Sequence, residues 1–91
     1  MSETGRARIV VRGQVQAVGF RMAAESRARS LGIAGWVGNN PDGTVEAELE
    51  GPRDRVELLL DWFGQGPRGA VVEDVSIEWL EPLGAREFTI R

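Results

Sequence analysis

An α+β sandwich, with two helices laid on one face of an antiparallel sheet, is the fold class this sequence predicts. Three observations lead there. Apolar residues alternate in several short stretches and recur at helical spacing in two longer ones. The order of these stretches is strand, helix, strand, strand, helix, strand, with a short extra strand at the end. At 91 residues the chain has room for one domain and one core. Two split β-α-β units that each cross right-handedly put both helices on the same side, which is the ferredoxin-like α/β sandwich.

The elements follow in order. Residues 1–6 read as a disordered tail, and residues 7–91 as the domain. Ala7, Ile9 and Val11 alternate with Arg8 and Val10 in a first strand. A glycine-bearing loop leads to Phe20, Ala24, Ala28 and Leu31 at helical spacing, with Arg21, Glu25, Arg29 and Ser30 facing outward. Gly32 fits as the cap that ends this helix. A second strand runs from about Ile33 to Asn39. Asn40-Pro41-Asp42-Gly43 then supplies a type I turn. Val45, Ala47 and Leu49 alternate with Glu46, Glu48 and Glu50, giving a hairpin with one wet face. Gly51-Pro52 opens a second helix, with proline at its first position. Its apolar stripe is Val56, Leu59, Leu60 and Phe63, and Gly64 closes it. After a loop over 64–70, Val75, Ile77 and Trp79 mark a fourth strand. Phe88 and Ile90 mark the short last one.

Composition removes several kinds of chemistry. There is no cysteine, so disulfides, thiol nucleophiles and thiolate metal sites are excluded together. Histidine is absent too, which removes the usual general base near neutral pH and the commonest zinc ligand. All eleven basic residues are arginine, so lysine Schiff bases are excluded, and arginine is the better planar partner for phosphate. A net charge of -3 argues against broad contact with nucleic acid, yet it allows a local positive site for a small anion. No apolar run approaches the ~20 residues that span a membrane, and the first residues lack the apolar segment of a signal peptide. The expectation is a cytoplasmic monomer without a nucleic-acid or membrane partner, metal or cofactor.

Residues 13–21, Gly-Gln-Val-Gln-Ala-Val-Gly-Phe-Arg, are the most informative stretch. A strand, a glycine-bearing loop and a helix in succession aim several main-chain N–H groups at one point, where the helix dipole is positive. The amides of Val15, Gln16, Ala17, Val18, Gly19 and Phe20 are the candidate anion cradle. Arg21 stands in the first helical turn, where a cation opposes the dipole at a cost of roughly 0.3–1 kcal/mol. An anion bound between the guanidinium and the amides makes that placement favourable.

Asn39, at the end of the second strand, is the other candidate. It reads either as a turn asparagine bonding its own backbone or as an amide that orients a water. Spacing leaves both open. Arg6, Arg8 and Arg12, like Glu46, Glu48 and Glu50, read as solvated strand faces. Trp36, Trp62 and Trp79 read as packing or partly exposed residues.

Two stretches, GQVQAVGFR and GWVGNNPDGTVEAELEG, together resemble the signatures of the acylphosphatase family. The first departs from the family pattern at Ala17, usually glycine. The second departs at Gly38, usually a long polar residue. The resemblance extends over nearly the whole chain, to the Phe-x-Ile-Arg ending. It implies a ferredoxin-like fold and metal-free hydrolysis of a carboxyl–phosphate mixed anhydride. It also implies that Arg21 binds the phosphoryl oxygens beside the loop amides and that Asn39 holds the attacking water. Two rival readings are an anion-binding module without turnover and a relative directed at carbamoyl phosphate.

Overall fold

The computed structural model describes every residue except Met1 and Ser2. The elements are β1 (Thr4–Gln14), α1 (Phe20–Leu31), β2 (Ala34–Asn39), β3 (Val45–Pro52), α2 (Arg53–Phe63), β4 (Val71–Leu80) and β5 (Phe88–Ile90). They build a five-stranded sheet in the order β4-β1-β3-β2-β5.

The sheet is mixed, which corrects the antiparallel expectation. β1 pairs antiparallel with β3 and β4, and β2 antiparallel with β3, but β5 runs parallel to β2. The cause is where β4 stops. It ends beside the start of β1, and β5 begins beside the start of β2, so residues 81–87 need only cross one end of the sheet. β3 lies between β1 and β2, and the C-terminal ends of β1, β2 and β5 meet at the opposite end.

The tail expectation fails for residues 4–6. Thr4, Gly5 and Arg6 pair with Pro52, Gly51 and Glu50, because the end of β3 offers them a partner. Met1 and Ser2 lie outside the described residues. Pro52 still belongs to β3, so it caps α2 from outside and the helix begins at Arg53 rather than at the proline. β4 also starts earlier than the alternation suggested, since β1 continues through a bulge at Arg12/Gly13 and pairs Gln14 with Val71.

One face of the sheet carries the core. Ala7, Ile9 and Val11 of β1, with Val45, Ala47 and Leu49 of β3, meet Val56, Leu59 and Phe63 of α2 and Phe20, Ala24 and Ala28 of α1. Each fully buried large apolar side chain contributes about 1.5–3 kcal/mol. α1 ends as its sequence predicts. Gly32 is left-handed, its N–H donates to Arg29 O, and the Ile33 N–H donates to Ala28 O, a Schellman closure.

The other face differs from the solvated one expected. Its two charged stripes pair across β1 and β3, and Arg6 and Glu50 are each only 4% exposed. Arg6 donates to Glu50 Oε1 at 2.8 Å and, from Nε and Nη2, to Glu48 Oε1 at 3.0 and 2.7 Å. Arg8 pairs with Glu46. Glu50 also accepts the N–H groups of Leu83, Gly84 and Ala85 at 2.8, 2.8 and 3.0 Å, so the connection to β5 covers it.

Burial pushes the Glu50 carboxyl upward, but these amides and Arg6 outweigh it and hold the group below the usual carboxylate range. A depressed folded-state pKa contributes stability that is present above the unfolded value and lost as pH falls through the folded one. Glu50→Gln should therefore melt lower than wild type at neutral pH, by about 2–3 kcal/mol. The gap should begin to narrow near the unfolded carboxyl's pKa of about 4.3 and close only as pH falls through the lower folded value. Thermal unfolding across pH checks this, and a gap independent of pH would contradict it.

Candidate active site

The bend between β1 and α1 is pinned at both ends. Val15 is fully buried, and Phe20 packs against Trp62 and Phe63 with ring centroids 5.3 and 5.5 Å apart. Between the pins, Ala17 and Gly19 adopt left-handed backbone angles, with φ of 62° and 75°. Left-handed residues alternating with ordinary ones turn successive N–H groups toward one side. The first helical hydrogen bond runs from the Ala23 N–H to Gly19 O. None of the N–H groups from Val15 to Met22 has an acceptor among the described residues. The N-terminus of α1 also has no side-chain cap and no acidic residue in its first turn. A row of unpaired donors thus lies at the positive end of a twelve-residue helix.

Arg21 reaches from that first turn to the last residue. Its Nη1 donates to the main-chain oxygen of Arg91 at 3.0 Å, and the Arg91 N–H donates to Val37 O at 2.8 Å. β5 and β2 therefore set where the guanidinium rests. A hollow of about 180 Å³ opens beside it. Arg21 and Asn39 both line this hollow, with Ala17 and Gly19 of the bend and the apolar side chains of Met22 and Ile90. Val15 and Phe20 border it as well. Of the residues singled out in the sequence, Gln16 and Val18 do not line it. Val18 packs against the core, and the Gln16 side chain turns toward the hairpin.

Asn39 forms the last rung of β2 opposite Val45, and its exposed side chain has no hydrogen-bond partner among the described residues. The turn role falls to its neighbour. Asn40 Nδ2 donates to Thr44 Oγ1 at 3.0 Å and to Glu46 Oε1 at 3.1 Å, and Asn40 O accepts the Gly43 N–H. Asp42 accepts both the hydroxyl and the N–H of Thr44, which hold its carboxyl below the usual range.

A larger groove, of about 930 Å³, lies at the other end of the sheet between Gly32–Ala34 and residues 84–89. The amides there already serve Glu50. The smaller hollow is bordered instead by residues of the 15–22 stretch, whose amides have no acceptor among the described residues.

The family profile for acylphosphatase matches residues 7–90. This chain belongs to the acylphosphatase family. It is 51% identical over 84 residues to an acylphosphatase of Anaeromyxobacter dehalogenans, covering 92% of this chain and 90% of that one. The structure of an acylphosphatase from Coxiella burnetii superposes with a TM-score of 0.92 at 33% identity, over 97% of this chain and 93% of that one. That of Bacillus subtilis acylphosphatase gives 0.92 at 34%, over 96% and 98%.

The two departures from the family signatures have structural consequences in this acylphosphatase. Ala17 occupies a left-handed position that costs a non-glycine residue about 1–2 kcal/mol. Ala17→Gly should relieve that strain, less the backbone entropy glycine loses on folding, for a net gain of about 0.5–1 kcal/mol in urea unfolding. Tighter inhibition by inorganic phosphate should accompany it. Unchanged stability and inhibition would mean that the bend carries alanine without strain. At Gly38, a Cβ would come within 3.2 Å of Arg91 Cβ. A side chain there would press on Arg91, whose main-chain oxygen accepts the Arg21 hydrogen bond.

Proposed function

We propose that this acylphosphatase cleaves its substrate's carboxyl–phosphate bond in the hollow between the 15–20 bend and Asn39, without a metal ion. What supports this most is that unpaired amides, a guanidinium and an unpartnered carboxamide all open on one small space.

Arg21 grips two phosphoryl oxygens in fork geometry, each charged hydrogen bond contributing roughly 1.5–3 kcal/mol. The amides of Val15, Ala17, Gly19 and Phe20, which border the hollow, supply the remaining donors, preorganised as in an oxyanion hole. Asn39 holds the water in line with the leaving oxygen. The water oxygen forms the new bond to phosphorus while the bond to the acyl oxygen breaks, and its electron pair leaves with the carboxylate. The water's proton passes to a phosphoryl oxygen. A carboxylate is a good leaving group, so no general acid is needed, and a loose transition state asks for positioning and charge stabilisation. A chain without histidine or cysteine can carry this out.

The test is hydrolysis of benzoyl phosphate, followed by ultraviolet absorbance, with and without a chelator. Turnover should be the same in both, with inorganic phosphate inhibiting competitively. Activity lost to chelator and restored by a divalent ion would overturn the metal-free reading. Phosphate binding without hydrolysis would identify a module that has lost turnover, and a preference for carbamoyl phosphate would move the substrate class.

A further inference from the structure

Gln16 lies in the middle of the bend, yet its side chain leaves it. Nε2 donates to Asn40 O at 2.8 Å and to Thr44 O at 3.0 Å, the two carbonyls that close the β2–β3 turn. A glutamine amide has two hydrogens on one nitrogen, and both are used here. We infer that Gln16 is a positioning residue that sets the distance between the phosphate cradle and Asn39, whose own main chain runs directly into Asn40.

The bland account is that Gln16 satisfies carbonyls of the hairpin. Both already have partners. Asn40 O accepts the Gly43 N–H at 3.1 Å, and Thr44 O accepts the Asn40 N–H at 2.9 Å. The turn is further closed by Asp42 and Asn40 side chains acting on Thr44. The hairpin has closing bonds of its own apart from Gln16. What Gln16 adds is the side-chain hydrogen bond between the bend and the turn, elements 24 and 28 residues apart along the chain. In a reaction driven by placement of water against phosphorus, a small drift between those two elements slows chemistry without weakening the grip on phosphate.

This inference rests on the proposed roles of the bend and Asn39, and a double-mutant cycle separates the two. Gln16→Met keeps the length and removes both donors. With benzoyl phosphate it should lower kcat about tenfold, while the inhibition constant for inorganic phosphate stays within about twofold. In an Asn39→Ala background, where no held water remains to be misplaced, the same change should alter kcat less than about twofold. Equal losses in both backgrounds, an unchanged kcat in the single variant, or a loss confined to phosphate inhibition would each overturn the inference. Full activity in Asn39→Ala alone would instead overturn the underlying site reading.

Gln16→Glu provides a second route should the methionine variant not fold. Its carboxylate faces two carbonyl oxygens with no hydrogen to give, and its protonated form regains one donor. Its kcat relative to wild type should rise as pH falls through the carboxyl's titration. A flat ratio would count against the tie.

Discussion

Arg21→Ala should lower kcat/KM for benzoyl phosphate by roughly 10²–10⁴-fold. The range follows from losing two charge-assisted hydrogen bonds to the transferring group, each about 1.5–3 kcal/mol, at about 1.4 kcal/mol per tenfold. Inhibition by inorganic phosphate should weaken with it, since the same oxygens are gripped in product and transition state. The fold should survive, because among the described residues the guanidinium makes one exposed hydrogen bond, to Arg91 O. Arg21→Lys keeps the charge but not the planar fork, and should recover only a small part of the loss. Near-wild-type turnover in the alanine variant would remove the guanidinium from the mechanism.

Asn39→Ala should behave differently. The carboxamide is proposed to touch the water rather than the phosphoryl group, so kcat should fall about 10²-fold or more while phosphate inhibition stays nearly constant. Stability should change little, because the side chain is exposed and unpartnered among the described residues. Paired kinetics on the two variants separate grip from water placement. Were both to lose phosphate inhibition equally, the division of labour between them would be wrong.

Much of this arrangement was readable from local chemistry. Gly32 ends α1, and Asn40-Pro41-Asp42-Gly43 turns the hairpin, because both depend on a few consecutive residues. The bend at 13–21 was legible for the same reason. Arg6 and Glu50 were not. Charges alternating along a strand look solvated until a distant segment, here residues 83–85, crosses and bonds to Glu50, which in turn pairs with Arg6. The direction of β5 depended on which edge the connection reached, and three residues carry no signal for that. Neighbouring asparagines also have different work. Only the fold distinguishes Asn40, bonded into the turn, from Asn39, open to the hollow. The Gln16 side chain and the Arg91 oxygen act across long sequence separations, so no local pattern announced them.

The absence of a long polar side chain at position 38 reads, from the sequence, as either a loosened water site beside Asn39 or a dropped surface charge. Arg91 changes that picture. Its guanidinium lies 4.1 Å from the centre of the Trp36 ring. Burial pushes the Glu46 carboxyl upward, but hydrogen bonds from Arg8 and Asn40, with the Arg8 and Arg91 charges added, hold it below the usual carboxylate range. That positive charge comes from the far end of the chain. A long polar side chain placed on residue 38 would crowd Arg91, whose main-chain oxygen takes the Arg21 hydrogen bond, so a substitution meant as a repair should lower turnover of benzoyl phosphate.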